Sequence, residues 1–298
     1  MLSGATRFTG MKSDGHSARM AREIALWLAI AGILAAGIGF AWNPTPLAHA
    51  LAAIFIACAL VHAVFLYGAR SAIALLVTSV AITFAMENIG VATGFPFGHY
   101  HFAVDAGLPR IGSIPIVVGP LWFGAGYFSW VVASILLDSA DQRLDRSLEF
   151  IALPVIAAFV MTQWDLVMDR SQSTIARVWI WHEGGADFGV PLSNYLGWLL
   201  TSWLVFLAFA LYLRRQAARL APGAPQRRKL HAIAILFYVS LGLTHVVPWA
   251  MGQAGEVVDA AGRTWQVGDL RATTVAVMFF TMLFSGLLAA LRLAQDDR

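Results

Sequence analysis

The chain has 298 residues, 59% of them hydrophobic and only 12% charged, with a mean hydropathy of +0.70. Soluble domains carry roughly 25% charged residues, so this composition excludes a disordered chain, a nucleic-acid-binding module and an ordinary soluble enzyme. The net charge of +3 and the pI near 9.3 are explained better by topology than by a basic partner, and the single cysteine, Cys58, leaves no intramolecular disulfide.

A polar segment over residues 1–22 precedes a run of apolar stretches, each close to the ~20 residues that cross a hydrocarbon core. Eight spans are expected, at about 24–42, 47–68, 71–91, 114–137, 148–168, 192–213, 230–250 and 271–292. The first is as long as its successors and lacks a small-residue cleavage site, so it reads as a retained span. The expected fold is therefore all-α, a polytopic membrane helical bundle. One integral-membrane domain over 23–293 would lie between the polar segment and a short tail, 294–298. Fifteen Lys and Arg fall in the termini and loops of one side, six of them in 214–229, against five on the other. By the positive-inside rule both termini are cytoplasmic, and the basic 214–229 loop is a topology signal. A multi-pass protein of a bacterial cytoplasmic membrane is the expectation.

Ionisable groups at membrane depth are costly and mark functional sites. Glu87, Asp165 and His245 fall at similar depth in spans three, five and seven, which run the same way, so they can converge near the outer leaflet. Asp169 follows Asp165 by one turn and shares its helix face, and two carboxyls that close favour one proton held between them. Asn88 adjoins Glu87, and Asn194 opens span six from the same side. Trp122, Trp164 and Trp249 lie at a depth where indole faces could stabilise a cation. Each residue also has a structural reading: Glu87 in interhelical packing, Asp169 in a pair with Arg170, His245 on a backbone carbonyl. His62, deeper in the other leaflet, reads as a hydrogen-bonded structural histidine. The glycine- and aromatic-rich segments 93–101 and 178–198 read as shaped loops over the outer end.

Three blocks, ENIGVATGFPFGHYHF at 87–102, DLVMD at 165–169 and WIWHEGG…FGVPLSNYLGW at 179–198, together resemble the membrane-bound carotenoid hydratase family, over about residues 70–250. The resemblance implies hydration of the terminal C1–C2 double bond of an acyclic carotenoid end group, with lycopene, gamma-carotene or bisanhydrobacterioruberin as substrates in that family. It places Glu87, Asp165, Asp169, Tyr100 and Asn194 on its motif positions. Two positions depart from the family pattern: Arg170 stands where Pro is usual, and Phe102 where a second tyrosine often occurs.

Such a reaction needs a poorly solvated acid, a shielded tertiary carbocation and one positioned water. Asp165 is the expected proton donor, with Glu87 or Asp169 orienting water and His245 in support. Tyr100, Asn88, Asn194, Trp164, Trp249 and Trp122 are the expected substrate contacts. No cofactor and no metal is required. The expected partners are a carotenoid in the bilayer, water as co-substrate and other carotenoid-biosynthesis enzymes, with no nucleic acid. Three alternatives stay open: a carotenoid end-group cyclase, an intramembrane polyprenyl transferase using the Asp165/Asp169 spacing, and a carrier or pigment-binding protein.

Overall fold

A computed structural model describes residues 24, 46–103, 109–216 and 224–295. Helix α1 (Pro46–Tyr67) and α2 (Ala69–Thr93) are joined at Gly68. They are followed by α3 (Val118–Leu136), α4 (Ser147–Asp169) and α5 (Leu192–Gln216), then α6 (Ala224–Leu243), the short α7 (Val246–Ala250), α8 (Val267–Met278) and α9 (Phe284–Gln295). A π-helical turn, Arg170–Ile175, prolongs α4, and another, Phe279–Leu283, joins α8 to α9.

Six helical stretches are long and apolar enough to cross a membrane. They are Ala69–Thr93, Val118–Leu136, Ser147–Ile175, Leu192–Gln216, Gln226–Ala250 and Val267–Gln295. Helix α1 occupies the second expected span, so seven of the eight expected spans coincide with helices. Residues 25–42 of the first lie outside the described residues, and the count of eight is not reached within them.

These helices are apolar on every side, as expected where lipid replaces water. Burial therefore decides which is central. Of α3's apolar window 83% is buried, against 33–50% for the others. Helix α3 packs against α1, α2, α4, α6 and α9. Small residues let large ones in: Gly119 lies under Phe84 of α2, Gly124 under Phe55 of α1, and Gly242 of α6 under Met278 of α8. Without a hydrophobic drive between helices, such close packing is what holds a membrane bundle together.

A polar knot closes the end of the bundle that carries the 138–147 loop. Asp141 accepts from Ser134 Oγ (2.6 Å), Tyr67 Oη (2.8 Å) and the Arg227 guanidinium, joining α1, α3 and α6. Arg227 is therefore part of a buried ion pair, whereas the sequence reading gave the whole basic loop to topology. Burial alone would raise the Asp141 carboxyl, but the Arg227 cation and its hydroxyl donors outweigh burial and hold it below the usual carboxylate range. His62 is buried between Tyr127 Oη (2.6 Å) and the Leu230 carbonyl (3.0 Å). Its Nε2 must donate to that carbonyl, so Nδ1 accepts from Tyr127.

The opposite end carries three small antiparallel ribbons. Strand β1 (Tyr100–Phe102) pairs with β4 (Trp179–Trp181), β2 (Arg110–Ile111) with β3 (Ile114–Pro115), and β5 (Glu256–Val258) with β6 (Thr264–Gln266). Gly94, in the left-handed conformation at φ 80°, ends α2 and turns the chain into the first of these loops.

Candidate active site

The site is built where α2 and α4 end, α3 and α5 begin, and the β1–β4 ribbon folds over them. The register pairs Tyr100 with Trp181 and Phe102 with Trp179. Because side chains alternate along a strand, these four fall on one face of the ribbon, and all four line a cavity of about 90 Å³. His101 and His182 lie on the outer side, with His101 Nδ1 and His182 Nε2 2.8 Å apart.

Helices supply the remaining walls. Trp122 of α3 stacks on Trp198 of α5 with centroids 3.8 Å apart and planes at 13°, and Trp164 of α4 meets Trp198 edge-on at 5.7 Å. Phe97 wedges between α2 and α5. A Cβ on Gly90 would stand 2.8 Å from its ring, and one on Gly197 2.5 Å, so only glycine at both positions admits it. Ser193 Oγ donates to the Phe97 carbonyl (2.9 Å) and fixes the loop to the start of α5.

The carboxyls divide between the wall and what lies behind it. Glu87 lines the cavity, accepting from Tyr100 Oη and from Trp122 Nε1 (3.2 Å). Asp165 and Asp169 are both fully buried and are not among the lining residues. The lining residues of α4 are Trp164 and Met168, one turn apart, so the two aspartates sit one residue further round the helix. There the Asn194 amide reaches both, donating to Asp165 Oδ2 (2.8 Å) and Asp169 Oδ2 (2.5 Å). Asp169 Oδ1 accepts from Trp179 Nε1 (2.9 Å) and Trp181 Nε1 (3.4 Å), whereas Asp165 Oδ1 has no partner among the described residues.

The structure thus brings together Glu87, Asp165, Asp169, Tyr100, Asn194, Trp122 and Trp164. Three other expected residues stand apart. Asn88 donates to the carbonyls of Phe84 (2.8 Å) and Ile111 (3.1 Å) and accepts from the Ser113 amide (2.9 Å), so both ends of its amide hold the β2–β3 ribbon to α2. Trp249 is 47% exposed on α7 and does not line the cavity, because the chain turns at Thr244 and His245 before that helix. His245 does not line the cavity, and the charges that act on it are those of Arg271 and Arg170. Arg170 itself is buried and donates to Asp187 (2.5 Å), and Phe102 lines the cavity. Trp198 and Phe97 were not among the expected contacts. Trp198 follows Asn194 by one helical turn, a spacing that could have signalled it, but nothing in the sequence fixes the ribbon register that brings in Trp179 and Trp181.

A helical membrane bundle with one carboxyl set among five indoles in a small cavity at one end, and two more carboxyls behind its wall, defines the class of protein. Residues 25–262 match the family described as carotenoid biosynthesis protein, and the chain belongs to that family. Over 145 residues, 48% of this chain, it is 29% identical to the bisanhydrobacterioruberin hydratase of Haloarcula japonica. The match covers 46% of that protein, so the chain spans under half the length of this relative. No solved structure matches the chain.

Proposed function

We propose that this protein hydrates the terminal C1–C2 double bond of an acyclic carotenoid end group, giving a tertiary 1-hydroxy product. The observation that carries the reading is the cavity, walled by Trp122, Trp164, Trp179, Trp181 and Trp198 with the Glu87 carboxyl set among them. At about 90 Å³ it suits an end group, while the polyene stays in the surrounding lipid.

In this scheme a carboxylic acid protonates the less substituted alkene carbon, and the tertiary cation forms against indole faces. A water adds at the cation, and its second proton returns to a carboxylate, so the alkene gains one water and the enzyme ends as it began. Glu87 faces the cavity and is the acid that meets the alkene. The water's proton returns to Glu87, and the Asp165–Asn194–Asp169 group behind it keeps a proton of its own on Asp165, whose Oδ1 accepts no hydrogen bond among the described residues, so that the pair adds no second negative charge beside Glu87. This moves the role first given to Asp165 onto the carboxyl that the cavity exposes. The scheme needs neither a metal nor an organic cofactor. The hydrated carotenoid would leave into the bilayer of a bacterial cytoplasmic membrane, where later enzymes of the same biosynthesis can take it up.

Pigment analysis by liquid chromatography and mass spectrometry tests the reading, in cells making lycopene or gamma-carotene with and without this gene. The expected result is a more polar pigment, heavier by one water, with its polyene absorption unchanged. It should be lost in Glu87→Gln while the protein is still present in the membrane. An isomer of unchanged mass would instead indicate a cyclase, and no new pigment from either precursor would count against an end-group reaction.

A further inference from the structure

A second buried polar cluster lies beside the carboxyl pair and takes no part in the scheme above. Arg170, 2% exposed, donates from Nη2 to Asp187 (2.5 Å), but its Nε and Nη1 have no partner among the described residues. The Asp187 oxygen it meets also accepts from Tyr195 Oη (2.5 Å), so that carboxylate is shared. Arg271, the fifth residue of α8, donates from Nη2 to Gln253 and leaves Nε unpartnered. Thr274 Oγ1, on the next turn of α8, and Ser171 Oγ, beside Arg170, are buried and unpartnered too. Helix α8 packs on both α4 and the Arg170–Ile175 turn, and His245 lies within electrostatic reach of both arginines.

Every open group in this cluster can donate a hydrogen bond: Arg170 faces Asp187 and lies within electrostatic reach of Asp165, but neither takes its Nε or Nη1, and the hydrogen bond given for Arg271 goes to a neutral amide. A buried guanidinium beside a half-buried one, with unpartnered hydroxyls between them, calls for an anion that accepts from several directions. A tetrahedral oxyanion does this better than a planar carboxylate. The cluster also sits where α4 ends and α8 begins, the depth at which lipid headgroups meet the ends of spanning helices.

We propose that Arg170, Ser171, Arg271 and Thr274 form a binding site for a phosphate-class oxyanion. Two sources present that chemistry, a phospholipid headgroup and free inorganic phosphate, and the test separates them. The full chain is purified in detergent and its melting temperature followed in sodium phosphate against sodium chloride at matched ionic strength. Native mass spectrometry then reads any phospholipid retained. Phosphate is expected to raise the melting temperature by roughly 2–4 °C. Arg271→Gln should abolish the shift, and the near-isosteric Thr274→Val should weaken it. If the source is lipid, the protein as purified carries one phospholipid and responds to phosphate only after that lipid is stripped. If the source is free phosphate, the response is present with no lipid retained. A wild type that neither retains phospholipid nor responds to phosphate would overturn the proposal, and so would an undiminished response in both variants.

Discussion

At the scale of single residues, three buried carboxyls have donors built around them. Asp141 receives two hydroxyls and a guanidinium, Asp169 two indole N–H groups and an amide, and Glu87 a phenol and an indole. In a medium without water each donor replaces hydration that the carboxyl has lost. The Asp141 pair gives the clearest measurable consequence. Its carboxyl is held below the ordinary range, so the stability it contributes is present above the ordinary carboxylate pKa and is lost as pH falls through the lower folded value. Asp141→Asn strands Arg227 and should cost about 3 kcal/mol near neutral pH. The gap between wild type and variant, read by thermal unfolding in detergent, should stay constant down to about pH 5 and narrow only below about pH 4. A gap that closes between pH 8 and 6 would contradict this account.

At the scale of elements, the site depends on contacts between segments far apart in sequence. Strands β1 and β4 are separated by the whole of α3 and α4, yet their pairing places Tyr100, Phe102, Trp179 and Trp181 on one face. Phe97 fills the seam between α2 and α5 because both present glycine there. Gly197→Ala should push that ring out of the cavity wall. The expected cost is about 1–3 kcal/mol of stability, together with a loss of pigment conversion larger than the stability loss explains. Gly268→Ala, on α8 with open space around its Cβ, serves as the control and should change neither. Equal conversion by wild type and Gly197→Ala would mean that the Phe97 wall does not shape the substrate pocket.

At the scale of the whole molecule, the bundle has two polar ends with different work. The Asp141–Arg227 knot ties α1, α3 and α6 at one end, while the carboxyls and indoles gather at the other. The sequence assigns its surplus of Lys and Arg to the side of the 138–147 loop, and the positive-inside rule predicts that this side faces the cytoplasm. The chemistry would then sit toward the outer leaflet. Reporter fusions check this: one placed after residue 216 should be active only as a cytoplasmic reporter, and one placed after residue 262 only as an external one. The reverse pattern would invert the site's orientation in the membrane.

The apolar runs by themselves determined that the chain is a helical membrane bundle. They located seven spans that the described helices occupy, because a backbone in lipid must satisfy its own hydrogen bonds and helices do so locally. The cost of burying charge made Glu87, Asp165 and His245 legible as groups at one depth, of which His245 stands apart from the cavity, and helical spacing put Asp169 on the face of Asp165. Rotation and register were decided only by the tertiary structure. Helices apolar on every side carry no periodicity that says which face looks inward. That is why Asp165 could be read as the proton donor although Trp164 and Met168, not Asp165, line the cavity. Asn88 was read with the site although its amide is committed to backbone groups, and the turn that carries Trp249 outward follows no signal of composition. The depth of a polar residue follows from counting along one helix, whereas its neighbours depend on how several helices and a ribbon are rotated against one another. Long-range packing alone fixes that rotation.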